Sequence, residues 1–231
     1  MDPGDVIRET WDLYRAHWRH LITIAAVVYV PLGGISALLA LGGWPGIVAA
    51  NILNLAAIFL VQGALVKAVE DVRDGRPDLS VAETFGHAGG RLVTLAAAGV
   101  LAALGIIAGL ALLIVPGLVL LTWWLVLSPV IVIECRGVSD AFGRSRALVR
   151  GNGWPVFGVV VLTFLVLLAF TLVLGIALVP LAGELRGFLQ SAVGNTLAAP
   201  FAAVAWTLTY FRLRGIEIAR DPLAARPPAY S

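Results

Sequence analysis

Between two long apolar runs, the segment Gly137-Val-Ser-Asp-Ala-Phe-Gly-Arg-Ser-Arg-Ala-Leu-Val-Arg-Gly-Asn-Gly-Trp154 gathers two serines and three arginines. Ser139 or Ser145 could act as a nucleophile only with a histidine or lysine base in reach, and the segment holds neither. A helix cap and helix packing account for them. Arg144, Arg146 and Arg150 could hold anionic lipid head groups or a phosphate-bearing ligand, because juxtamembrane basic residues each gain about 1 kcal/mol near anionic lipid. Fixing the topology of the chain explains the same three residues equally well. His17 and His20 stand three apart and His87 lies elsewhere. No carboxylate or cysteine is placed to complete a zinc set with them, so no metal or other cofactor is expected. The single cysteine, Cys135, has no intramolecular disulfide partner. No catalytic constellation emerges, and the expectation is a protein that is not an enzyme.

A second set of polar residues interrupts the apolar runs themselves: Asn51, Asn54 and Gln62 in one, and Gln190, Ser191, Asn195 and Thr196 in another. Burying an amide in hydrocarbon is costly, so these should face other helices or a hydrated cavity. Interhelical hydrogen bonds, worth about 0.6–2 kcal/mol each, are one reading. A pathway for a small polar solute is the other. No Asp, Glu, Lys or Arg lies deep in these runs, which argues against a proton-coupled pump.

Of the 231 residues, 60% are hydrophobic and 13% charged, outside the range of soluble globular domains. The apolar residues fall in six runs, 21–42, 46–66, 92–115, 117–133, 156–179 and 187–211. About 20 apolar residues cross a hydrocarbon core, and unalternating runs in lipid call for helices, which satisfy their own backbone. The first run starts after Asp5, Glu9 and Asp12 and exceeds a signal-peptide core, so no cleaved signal is expected. The fold class expected is all-α: six transmembrane helices forming three hairpins, closed by turns at Trp44-Pro45-Gly46, Val115-Pro116-Gly117 and Val179-Pro180.

Of the sixteen basic residues, all but Arg186 lie in the segments on one side of these hairpins, which the positive-inside rule makes cytoplasmic. The expectation is a prokaryotic plasma-membrane protein with both termini in the cytosol. Trp18, Trp154 and Tyr210 fall at interface heights as anchors. The net charge of +2 does not suggest nucleic acid as a partner. The partners this reading allows are the bilayer, anionic phospholipids, other membrane proteins or a second copy of the chain.

Internal similarity organises the whole. Asp5-Val-Ile-Arg-Glu-Thr10, Glu83-Thr-Phe-Gly-His-Ala88 and Asp140-Ala-Phe-Gly-Arg-Ser145 share an acid, a large apolar residue two positions on, and a small residue at the end. Each precedes a span. The predicted unit is an amphipathic interfacial helix followed by a membrane hairpin, used three times over about 3–66, 80–133 and 138–211 within one domain, 1–215, before a short disordered tail, 216–231. Asp2, Ser80 and Ser139 are the expected N-caps, with Ser80 and Glu83 spaced as a capping box, and Gly151 the residue ending the third helix. Only the third copy is basic, four arginines opposing Glu134 and Asp140. Gly105 and Gly109 have a GxxxG spacing suited to packing within the bundle or to a dimer face. Pro31, Pro129 and Pro200 should kink or loosen their helices.

The run from Val115 to Leu162, with its Pro-Gly turn, Glu134, Gly137, Ser139, Ala141, Ser145, Leu148 and Trp154, resembles the membrane domain of glycerophosphoryl diester phosphodiesterases and related stand-alone prokaryotic membrane proteins. In those enzymes the chemistry resides in a fused soluble barrel, for which about 250 residues are typical. The longest soluble segment here, 67–91, cannot hold one. The resemblance implies a membrane domain without phosphodiesterase activity. The leading expectation is a scaffold or accessory component of a membrane or lipid-linked process. A small-solute transporter or channel, and then an intramembrane enzyme, are the alternatives.

Overall fold

The computed structural model describes residues 1–73, 80–180 and 183–220. Within them the chain is all-α: α1 (Pro3–Ala40), α2 (Gly43–Arg73), α3 (Val81–Gly89), α4 (Leu92–Leu112), α5 (Ile114–Trp123), α6 (Leu127–Ile133), α7 (Val138–Val149), α8 (Gly153–Ala177) and α9 (Gly183–Arg220). Arg76 and the tail from Asp221 onward lie outside the described residues. Residues 216–220, assigned from sequence to the tail, continue α9.

Among the described residues five stretches are long and apolar enough to cross a membrane: α1, α2, α4, α5 with α6, and α8. Their outer faces carry large apolar side chains in the open, among them Leu112 (80% exposed) and Leu38 (70%), a surface suited to lipid rather than water. The sixth predicted span, α9, does not reach the same apolarity, because Gln190, Asn195, Thr196, Thr207 and Thr209 dilute it. Its position explains this. From Pro200 to Tyr210 every residue except Trp206 is buried, so α9 is a central post surrounded by α1, α2, α8 and the short helices α6 and α7. A stretch covered on all sides has little need of lipid-soluble residues, and its alanines allow close approach; before Pro200 the helix is more open, with Asn195 exposed.

Local chemistry sets the boundaries. Asp2 caps α1 by accepting from Gly4 N at 2.7 Å. Ser80 and Glu83 close a reciprocal capping box on α3. At α7 the expectation of a Ser139 cap is corrected: the helix begins earlier, with Gly137 as N-cap and no side-chain cap. Gly151 ends the helix as expected, at φ +85°, a conformation costly for any residue with a Cβ. The first two proline turns are displaced by a few residues. The chain reverses at Leu41-Gly42 and at the extended Leu113, leaving Pro45 and Pro116 in the first turns of α2 and α5, where a missing N–H costs nothing.

Proline acts unevenly inside the helices. Pro129 lies just beyond a break at Trp124–Val126 that divides α5 from α6, the place where its ring would clash with the preceding turn. Pro31 and Pro200 are carried within continuous helices. The bend in α1 falls instead at His17 (φ −119°, ψ 22°), between its amphipathic start and its apolar length.

The GxxxG pair packs within the chain. A Cβ on Gly109 would lie 3.0 Å from the Gly117 backbone, one on Gly117 2.7 Å from Leu110 N, and one on Gly105 2.8 Å from the Trp124 ring. The α4–α5 contact is therefore backbone on backbone. Replacing Gly117 by valine should lower the unfolding free energy by about 1–3 kcal/mol, the usual cost of overpacking. Gly143→Ala, in mid-α7 with open space around it, should instead stabilise by up to about 1 kcal/mol. Thermal unfolding of the two variants in one detergent checks both signs.

Candidate functional site

Where α6 ends, the chain turns through Glu134, Cys135 and Arg136 into α7. The Glu134 side chain is only 8% exposed, and an uncompensated carboxylate there would cost several kcal/mol. Four donors converge on it. Arg144 Nε, one turn into α7's polar side, donates to Oε1 at 3.1 Å and Oε2 at 2.9 Å. Arg136 Nε reaches Oε2 at 3.3 Å. From α9 come Tyr210 Oη at 3.1 Å and Arg214 Nη1 at 3.3 Å, both to Oε1.

Arg144 is shared. Its two terminal nitrogens grip Glu217 of α9 in a fork, at 2.5 Å and 2.6 Å, the bidentate geometry that guanidinium and carboxylate planes favour. Arg214 also lies 3.5 Å from Glu217. Three guanidiniums and two carboxylates thus bind the end of α6 and the inner side of α7 to the last turns of α9. The Arg144 fork holds the Glu217 carboxyl below the usual carboxylate value, and Glu217 in turn raises Arg144 further above its already high one.

The same helix is fixed apolar side down. Ala141, Ser145, Leu148 and Val149 are buried, and Phe142 meets the Trp124 ring edge-on at 4.9 Å. Ser145 Oγ donates to Trp123 O at 2.7 Å, satisfying a carbonyl left open where α5 ends. This is a packing role, as expected for that serine.

The three arginines expected at a lipid surface therefore part company. Arg144 points inward, with a side chain 15% exposed. Arg146 is exposed and lies over the Trp123 ring at 4.2 Å. Arg150 is exposed at the end of α7. The anchors divide too. Trp18 and Trp154 are exposed, Trp154 at 85%. Tyr210 is corrected: its ring is buried, and its hydroxyl serves Glu134 rather than an interface.

The intramembrane amides do not form one lining. Asn51, exposed, donates back to Ile47 O of its own helix at 2.8 Å. Asn54 joins α2 to α1 through Ser36 Oγ at 2.9 Å. Among the described residues Gln62 Nε2 is buried without a partner, as are the hydroxyls of Thr196 and Thr207. Gln190 is half-buried and Asn195 exposed, while the Ser191 side chain lies outside what is described. Of the histidines, His17 Nδ1 and His20 Nε2 are buried without a partner among the described residues. Cys135 is exposed, with φ 53°.

Glu134, Arg214 and Glu217 were not singled out as site residues from the sequence. One signal pointed to the first of them: the apolar run Val130-Ile-Val-Ile133 ends in an acid on a side where arginine is the ordinary terminator. Removing the charge by Glu134→Gln leaves three guanidiniums short of their partner and should cost about 3–5 kcal/mol, whereas Tyr210→Phe should cost about 1 kcal/mol. A depressed carboxyl stabilises the fold above its unfolded value, 4.5 for Glu217, and that contribution disappears as pH falls through the folded value. Stability measured downward from neutral pH should therefore decline below about pH 4.5, and more weakly in Glu217→Gln.

No curated protein and no solved structure matches the chain. A match does extend over residues 78–213, more than half of the chain, from the capping box of α3 through Glu134, Arg144 and Tyr210 to Leu213. By that match the chain belongs to the family described as Domain of unknown function (DUF7847).

Proposed function

We propose that the protein is a non-enzymatic, multi-pass component of a prokaryotic plasma membrane that presents α7 to anionic lipid head groups while its spans act as a scaffold. The observation that carries this reading is the division of the α7 arginines. Arg144 is consumed by Glu134 and Glu217, which fixes the helix, whereas Arg146 and Arg150 remain exposed, as does Trp154. Two exposed cations shortly before an exposed tryptophan in sequence suit the head-group region of a negatively charged leaflet.

In this reading α9 is the sixth span, and α1–α2, α4–α5–α6 and α8–α9 are the three hairpins. Support comes from the packing of α1 on α2, α4 on α5 and α8 on α9. In this reading the start of α1, α3 and α7, each preceding a long helix, are interfacial helices, and the positive-inside rule favours a cytosolic side for them and for both termini. The likeness to phosphodiesterase membrane domains fits a membrane role without the barrel's chemistry. A solute pathway has less behind it, because Asn51 and Asn54 are taken up by helix carbonyls and Ser36.

The reading is tested by releasing the protein from nanodiscs of mixed phosphatidylglycerol and phosphatidylcholine into native mass spectrometry. The wild type should retain phosphatidylglycerol in preference. Arg146→Gln with Arg150→Gln should lose that preference, while Arg8→Gln with Arg15→Gln, both exposed on α1, should keep it. An unchanged preference in the α7 double variant removes the lipid role.

A further inference from the structure

Past α7 the chain turns sharply at Gly151, with Asn152 N returning to Val149 O at 2.8 Å. The last turn of α9 covers this corner. A Cβ on Gly151 would lie 3.6 Å from Arg220 Nη1, so the Arg220 guanidinium sits against the turn, between the positions of Arg150 and Asn152. These three residues border a recess of about 260 Å³ with an apolar floor of Leu148, Leu213 and Ile216. That volume is just under the roughly 300–1,000 Å³ of pockets for whole small molecules.

The charge in this recess is unbalanced. Glu217 borders it, but its carboxylate is held by Arg144 and Arg214. Among the described residues neither Arg150 nor Arg220 has a carboxylate within ion-pair distance. Two guanidiniums and an amide facing one small recess make a donor set for a tetrahedral oxyanion.

We infer that Arg150, Asn152 and Arg220 form a binding site for a single phosphoryl group at the α7–α8 corner, closed by the end of α9. The inference rests on the lipid-facing reading of α7 and deepens it: Arg146 supplies general attraction at the surface, and the corner supplies a stoichiometric seat. Arg220 is the residue that the sequence alone did not single out, since it lies 70 positions from Arg150 and is brought there by α9.

The test uses the full chain in neutral detergent, followed by tryptophan fluorescence during thermal unfolding. One arm adds dioleoyl phosphatidic acid to the micelles, the other inorganic phosphate. A saturable rise in unfolding temperature is expected. Arg150→Gln or Arg220→Gln should weaken the apparent affinity about ten- to a hundredfold, the usual effect of losing a charged hydrogen bond. The lysine variants at the same positions should recover part of it, and Arg8→Gln, exposed on α1, should leave it within about threefold. A shift with phosphatidic acid alone assigns the seat to a lipid phosphate. A shift with both probes, lost in the same variants, opens it to soluble phosphoryl compounds as well. No saturable shift with either probe overturns the site. So does a shift that survives Arg150→Gln and Arg220→Gln. If that surviving shift is lost in Arg146→Gln, only the corner site fails, and the broader reading of α7 stands.

Discussion

A carboxylate buried at the end of an apolar helix must be neutralised where it stands, and Glu134 obliges the rest of the structure to do so. Its donors come from the turn that follows it, from α7, and from α9. Because ion pairs of this kind stabilise only when every partner is in place, the end of α6, the inclination of α7 and the exit of α9 cannot be set independently. Glu217 extends the constraint by engaging Arg144 from its other side. α9 is tied a second time: Arg212 bonds Glu9 of α1 at 2.6 Å, and Arg73 of α2 lies over Phe211 at 4.2 Å. The central post is thus fastened on two flanks over its last turns.

This fastening gives α7 two distinct chemical sides. Ser145, Leu148 and Val149 bury against the bundle, and Arg144 is bound to carboxylates rather than left to move. What remains outside is Arg146 on Trp123 and Arg150 at the corner. A helix held by its own internal pairs can present outer cations without an ordering cost at the moment a ligand arrives, which is how preorganisation raises affinity. The four arginines between 134 and 150, which in sequence looked like one set, are in space two that pair with Glu134, Arg136 and Arg144, and two exposed ones, Arg146 and Arg150.

The apolar runs and their caps were legible in the sequence because they depend on neighbours along the chain: hydropathy over 20 residues, Asp2 on Gly4, Ser80 with Glu83. Helix boundaries shifted where proline was read as the turn itself, when it prefers the first turn of the helix that follows. Burial was the harder quantity. α8 is among the most apolar of the helices and largely exposed, while the less apolar α9 is enclosed from Pro200 to Tyr210, since in lipid the outer surface is the greasy one. The Glu134 cluster was illegible for a different reason. Its partners on α9 stand 76 and 80 residues away, and nothing local distinguishes Arg144, which pairs inward, from Arg146 two residues on. Tyr210 was misplaced on the same ground, an aromatic at interface height whose hydroxyl is needed inside.

The central claim is that α7 is held by the Glu134 carboxylate through Arg144 and not by the bilayer. Backbone hydrogen–deuterium exchange across 138–149 tests it most directly, comparing wild type with Glu134→Gln in a neutral detergent that offers no anionic head group. The wild-type α7 amides should be protected. In the variant, exchange should rise across α7 and the last turns of α9 while α1 and α2 keep their protection. Rapid exchange of α7 in the wild type, or equal protection in both proteins, would contradict the account.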